Sequence, residues 1–451
     1  MARLALLSVS DKTGIIDLAQ QLVEKFGFDL ISSGGTAKAL QTEGLPVTKV
    51  SDYTQSPEIL EGRVKTLHPR IHGGILGRRD LPQDIEEMES NQIRPIDLVV
   101  VNLYPFEQTI ANPNVTVAEA IEKIDIGGPT LLRAAAKNYA HVTVLSNPKY
   151  YQTYLAELAK NNGKISLEFR QKMAGETFAL THGYDGAITN YFMSIASEDE
   201  SSLTSRFTVS GTQFQSLRYG ENPHQEAVWY QTRTQPSGWT SATKLQGKEL
   251  SYNNLVDLEA ARRIIAEFQP EEPAVAILKH TNPCGTAVGN TLADAYEKAF
   301  NADSISAFGG IVAVNQPLDQ DTATLLTKTF LECVVAPGCD EAAKAILTAK
   351  SKVRVLLLPD LIAGPKQTVK VIAGGLLVQS SDDAVDTPDS WKIATEKQPT
   401  PEQLAELLFA WKVAKHVKSN AIVVTKNRTT LGIGAGQMNR VGAVKIALEE
   451  A

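Results

Sequence analysis

Between Gly62 and Gly74 the chain reads Gly-Arg-Val-Lys-Thr-Leu-His-Pro-Arg-Ile-His-Gly-Gly, gathering Arg63, Lys65, His68, Arg70 and His72 without one carboxylate. In a chain of net charge −7 such a run implies an anionic partner. A planar guanidinium two residues from a point-charge ammonium suits a phosphate group. Ser33-Gly34-Gly35-Thr36, ahead of a predicted helix, offers backbone N–H donors to the same chemistry. Between Asp125 and Lys137, Pro129 fits the first turn of a helix with Leu131, Leu132 and Ala135 on its apolar side, so that Asp125 falls in the turn before it and Lys137 late within it. Later in the chain, Lys279-His280 sets a positive charge beside a side chain able to take up a proton. Arg218-Tyr219 could grip a phosphate and stack on a flat ring.

The elements that must position these residues fall into two halves. Up to residue 146, strand and helix patterns alternate: predicted strands cover Leu4–Val9, Phe28–Ile31, Asp97–Val101 and His141–Leu145. That alternation implies an α/β fold with a parallel sheet, whose ligands bind at the carboxyl ends of strands. Ser10, Lys12, Ser33, Thr36, Asn102 and Tyr104 all fall at such ends. Residues 147–205 read as a helical connector, with Ser166–Phe192 so long that Gly175 and Gly183 are expected to break it. Ser197–Ser202 is charged and polar and reads as a linker, so the second half runs over 206–451. There Ala274–Leu278 is a compact apolar strand, and Pro401–Val417 is a helix opened by a Thr400/Gln403 capping box. A hairpin pattern follows over Ala421–Thr425 and Leu431–Gly436.

Composition narrows the class. At 451 residues, 43% hydrophobic and 21% charged, the chain is long enough for two or three ordinary globular domains. Its acidic balance argues against nucleic-acid binding, and no apolar run reaches the length of a membrane span. Cys284, Cys333 and Cys339 form no Cys-x-x-Cys pair, which fits a reducing cytoplasm and no standard zinc site.

Taken together, Ser8–Gly14, Ser33–Thr36, Gly62–Pro69, Asn102-Leu103-Tyr104-Pro105 and Asp125–Lys137 closely resemble the cyclohydrolase half of the bifunctional AICAR transformylase/IMP cyclohydrolase family. The resemblance implies a methylglyoxal-synthase-like parallel-sheet domain over 1–146. This domain would close formyl-AICAR to IMP with loss of water. It assigns Lys65 and Tyr104 to oxyanion stabilisation, and Asp125 and Lys137 to proton transfer. Ser10, Asp11, Lys12, Ser33, Gly34, Gly35, Thr36, Arg63, Val64, Thr66, Val101, Asn102 and Ile126 would hold the nucleotide.

The second half resembles the transformylase part of the same family, in which two cytidine-deaminase-like units stand in tandem. Formyl would pass from 10-formyltetrahydrofolate to AICAR, with His280 as base, Lys279 stabilising charge and Asn420 positioning. Arg218, Tyr219, Gly309, Glu332, Arg440 and Val441 would bind substrate. Deaminase metal chemistry needs His-x-Glu and Pro-Cys-x-x-Cys. Here Asn282 stands where the glutamate would be and Ala287 where the second cysteine would be, so no catalytic metal is expected. The family implies a homodimer. Family members also continue for several tens of residues beyond the helical pattern Met438–Ala451. An apparent C-terminal truncation is therefore expected, with weak or absent formyl transfer and a cyclohydrolase-only chain as one reading. A nucleotide-sensing regulatory module is the other. A dinucleotide oxidoreductase is disfavoured, because Gly432-x-Gly434-x-Gly436 lacks the required spacing.

Overall fold

The computed structural model describes residues 2–196, 207–232, 235–385 and 387–451. The chain divides into two compact units, Met1–Thr208 and Val209–Ala451. The linker reading at Ser197–Ser202 lies outside the described residues.

The first unit is built on five parallel strands: β1 (Arg3–Val9), β2 (Phe28–Ser32), β3 (Val47–Lys49), β4 (Leu98–Asn102) and β5 (Thr143–Leu145). Their spatial order is β3-β2-β1-β4-β5. Strands covered on both faces need unbroken apolar sequence, and Leu4–Leu7 and Leu98–Val101 are buried throughout. The order reverses direction between β1 and β4, where the register pairs Val9 with Asn102. A crevice for ligands opens at such a reversal. Edge strand β3 is too short and polar to have been foreseen.

Residues 147–196 join this unit's core. Tyr151, Tyr154, Leu155 and Leu158 of the helix Tyr151–Lys160 are buried there, as is Met173 of the next helix. That next helix runs unbroken over 30 residues, Leu167–Ala196, in contrast to the expected breaks. A Cβ at Gly175 or Gly183 would meet open space, so neither glycine marks a bend or close approach. Each costs about 1 kcal/mol of helix propensity relative to alanine, which packing against the helix Gly127–Lys137 and β5 offsets.

The second unit is α/β around a mixed sheet. After an antiparallel pair, β6 (Thr212–Ser216) and β7 (Val228–Gln231), come β8 (Thr243–Gln246), β9 (Ala274–Lys279), β10 (Asn282–Val288), β11 (Ile311–Val314), β12 (Cys333–Ala336) and β13 (Arg354–Leu357). These six order as β10-β9-β11-β12-β13-β8. Two antiparallel pairs complete the unit: β14 (Gln367–Ile372) with β15 (Gly375–Ser380), and β16 (Ile422–Thr425) with β17 (Thr430–Gly434). The Thr400/Gln403 capping box forms, opening the helix Pro401–Lys415. Among the described residues, no helix is long and apolar enough to cross a membrane.

Candidate active sites

A cavity of about 620 Å³ lies over the carboxyl ends of β1 and β4. Asn102 ties the two ends together: its Oδ1 accepts the Ser10 amide at 2.6 Å, and its Nδ2 donates to the Asp11 carbonyl at 2.8 Å. Thr36, buried at the start of the helix Gly34–Thr42, both accepts the Val9 amide and donates to the Val9 carbonyl at 3.0 Å. The helix start is therefore clamped to β1 with its free N–H groups facing the cavity. A Cβ on Gly34 would lie 3.3 Å from Lys65 Nζ, and one on Gly35 would lie 3.7 Å from Lys12 Nζ. Two ammonium groups thus converge on a helix N-terminus, an arrangement that demands an anion.

Lys65 reaches that point because the preceding loop turns back on itself. Leu60, Glu61 and Gly62 all have positive φ, at 52°, 55° and 86°, and Ile59 bridges to Val64. Two non-glycine residues held this way cost of order 1 kcal/mol or more each, the kind of strain that collects at functional loops. Glu58 lies 3.7 Å from Lys65 and Glu122 pairs with Arg63, so each cation has a carboxylate neighbour at the cavity rim.

On the opposite wall, Asp125 Oδ1 accepts the Gly128 amide at 2.8 Å, and the Tyr104 amide also faces its carboxyl. Burial raises the Asp125 pKa, against the lowering effect of those two amides. A carboxyl so placed can hold a proton at higher pH than a solvated one and pass it on. Tyr104 stands exposed at the cavity edge.

Of the residues expected in this site, Ser10, Lys12, Ser33, Gly34, Gly35, Thr36, Arg63, Lys65, Thr66, Val101, Asn102, Tyr104, Asp125 and Ile126 line the cavity. Asp11 stands just outside it, its carboxylate taken up by the Thr13 amide and hydroxyl. Val64 sits in the bridge to Ile59. Lys137 is not with Asp125. It lies at the far end of the helix Gly127–Lys137, beside Arg133, Gln171 and Phe178 in a separate cavity of about 590 Å³. The basic run also divides. His68 caps the helix Pro69–Leu76 by accepting the Arg70 amide, Arg70 bonds Tyr53 and Gln92, and burial lowers the His72 pKa.

In the second unit, register brings Lys279 and Glu332 together at one end of the inner strands of the mixed sheet. Leu278, Ile311, Cys333 and Arg354 form one row across β9, β11, β12 and β13. The next position beyond that row holds Lys279 on β9, Gly310 ahead of β11 and Glu332 ahead of β12. Amide bonds from Glu332 to Gly310 and from Arg354 to Glu332 keep these segments in step. Lys279 Nζ donates to the Phe308 carbonyl, beside Gly309 at φ 69°. His280 and Thr281 turn the chain from β9 into β10 with φ of 51° and 65°. That turn is pinned by Asp257, whose Oδ1 accepts the Thr281 amide at 2.8 Å. Buried Arg354 donates to Glu332 at 2.6 Å and fixes its carboxylate.

Asn420 is held by the Gln437 carbonyl at 3.0 Å, and Arg440 and Val441 open the exposed start of the helix Arg440–Glu450. Arg218 lies over the Tyr219 ring at 5.5 Å. Asp257, Arg354 and, in the first unit, Tyr184 were not singled out from sequence. Each acts through a backbone amide or a buried partner far away in the chain, and no local spacing marks such a role.

Two family models match the chain: an MGS-like domain over residues 14–130 and the AICARFT/IMPCHase bienzyme over residues 135–450. Proteins named bifunctional purine biosynthesis protein PurH from Rippkaea orientalis, Gloeothece citriformis and Microcystis aeruginosa are 86%, 75% and 73% identical to it. Each alignment covers all of this chain and 87% of the relative. A solved structure titled Crystal structure of ForH is 36% identical, covering 44% of this chain and all of its own, with a TM-score of 0.41. Identity this high over both halves favours a two-activity enzyme over a regulatory module. The chain therefore belongs to the AICARFT/IMPCHase bienzyme family and is an enzyme of purine biosynthesis with AICAR formyltransferase and IMP cyclohydrolase activities.

Proposed function

We propose that the cavity over the first sheet performs the ring closure and that the strand end around Lys279 and His280 performs the formyl transfer. The observation that carries the first assignment is the convergence of Lys12 and Lys65 on the Gly34–Gly35 turn, with buried Asp125 on the opposite wall. In ring closure the carboxamide nitrogen of formyl-AICAR attacks the formyl carbon, and water is lost. Lys65 and the Tyr104 hydroxyl stabilise the oxyanion while Asp125 handles protons. Lys12, Arg63, Thr66 and the Ser33–Thr36 turn hold the nucleotide.

In formyl transfer the donor is 10-formyltetrahydrofolate. The 5-amino group of AICAR is a poor nucleophile, because its lone pair delocalises into the imidazole ring. His280 removes its proton during attack and Lys279 stabilises the developing charge. Glu332 accepts a hydrogen bond from the substrate, Asn420 positions it, and Arg218, Tyr219, Gly309, Arg440 and Val441 bind it. The enzyme works in the cytoplasm as a homodimer. Lys137, beyond reach of Asp125 in its own chain, then serves ring closure in the partner's site.

Assaying the two steps separately tests this division. Lys65→Ala should lose ring closure and keep formyl transfer, and His280→Ala should do the reverse. Equal loss of both steps in either variant would refute it.

A further inference from the structure

We infer that Tyr184 is a positioning residue for ring closure: its phenol, seated on the helix Leu167–Ala196, sets the turn that aims Asp125 into the cavity. This rests on the reading of Asp125 given above. The Asp125 amide donates to the Tyr184 hydroxyl at 2.8 Å, and the same hydroxyl donates to the Lys123 carbonyl at 3.1 Å. One O–H thus satisfies both ends of a three-residue turn, using its acceptor and donor capacity together. Tyr184 is only 7% exposed, so little water is at hand to replace it.

The ring has a second contact with the site. It meets Phe106 edge-on, with centroids 6.2 Å apart. Phe106 is buried two residues after Tyr104, and its amide bonds the Tyr104 carbonyl at 2.8 Å. One side chain therefore braces the two segments that present Asp125 and Tyr104. Burial, the largest influence, pushes the Tyr184 phenol up to about 12, which keeps the proton it donates to Lys123. Tyr191, on the same helix, also meets Phe106 edge-on, with centroids 5.6 Å apart. It takes no part in the bonds to Lys123 and Asp125, which makes it the natural control.

The test uses the full chain and both assays. Tyr184→Phe keeps the ring and leaves the Asp125 amide and Lys123 carbonyl without their partner. A small misplacement of a reacting group is enough to lower kcat for ring closure about 10- to 100-fold. The KM for formyl-AICAR should change little, because the residues that hold the nucleotide stay in place. Formyl transfer should be unaltered, and Tyr191→Phe should match wild type in both assays. In the wild type, amide hydrogen exchange at Asp125 should be slow.

Ring closure by Tyr184→Phe at the wild-type rate, while Asp125→Asn is inactive, overturns the inference and leaves the role of Asp125 standing. An active Asp125→Asn overturns both, since it removes the group through which Tyr184 acts. Loss of both activities together in Tyr184→Phe, or free exchange at Asp125 in the wild type, also overturns it.

Discussion

Asp125 and Lys137 stand at opposite ends of one helix. At 1.5 Å per residue the helix Gly127–Lys137 carries them about 15 Å apart along its axis, and Lys137 lines a separate cavity. On the homodimer reading proposed above, co-expression of Asp125→Asn and Lys137→Ala chains, each expected to be inactive alone, should yield mixed dimers with one complete site. Ring closure measured on separately tagged, doubly purified heterodimers checks this. Heterodimers as inactive as their parents, or a fully active Lys137→Ala, would exclude the cross-chain arrangement.

Gly128 is required by its neighbour rather than by backbone conformation. A Cβ there would lie 2.4 Å from Asp125 Oδ2 and 2.9 Å from Leu103 Cδ2. Gly128→Ala should displace the carboxyl and reduce ring closure by about 10- to 100-fold with the fold retained. Kinetics of both half-reactions, with a thermal melt alongside, separate this from general damage.

The His280–Thr281 turn depends on Asp257. Burial raises the Asp257 pKa, against the lowering influence of the Thr281 amide, His280 and Lys418. Asp257→Ala removes the acceptor that holds two non-glycine residues at positive φ. Formyl transfer should fall about tenfold or more, because a loosened turn misplaces His280, the proposed base. Asp257→Asn, which can still accept the amide, should retain most of the rate. Ring closure in the same preparations should not move.

Glu259 predicts a pH dependence of stability. Burial alone would raise its pKa, but bonds from Arg262, Trp239 and Arg263 bring it down from 4.5 to about 2. All three partners lie at 2.9 Å. The folded state therefore prefers the ionised form more than the unfolded state does. The resulting stability is complete above the ordinary glutamate pKa and is lost as pH falls from 4.5 towards 2. Glu259→Gln should cost about 3 kcal/mol at neutral pH, and the gap to wild type should narrow on acidification. Denaturant unfolding of the two proteins across that range measures it. A gap that stayed constant with pH would show that the charge is immaterial.

Much of the first unit was legible in its residues. Apolar runs such as Leu4–Leu7 and Leu98–Val101 announce parallel strands, and polar residues at their ends, Ser10 and Asn102, mark the mouth of the cavity. Arg63 and Lys65, read from sequence as candidate anion ligands, line the cavity, whereas His68 and Arg70, equally basic, cap and brace a helix. Charge alone cannot distinguish these roles, because the division depends on which way the loop turns at Glu61 and Gly62. Lys137 illustrates the same limit: its type suits proton transfer, but the helix that carries it fixes its distance. Tyr184 was invisible because its hydroxyl meets backbone groups 59 and 61 residues away, the Asp125 amide and the Lys123 carbonyl.

The unbroken helix Leu167–Ala196 also has a consequence for the order of events at the ribosome. Chains emerge at about 5–20 residues per second, so this helix follows β1 by some 10–40 s. During that interval the sheet can form, but the turn bearing Asp125 lacks its brace. The nascent cyclohydrolase site is therefore expected to stay immature until the helix Leu167–Ala196 has cleared the exit tunnel, well after its last residue is added.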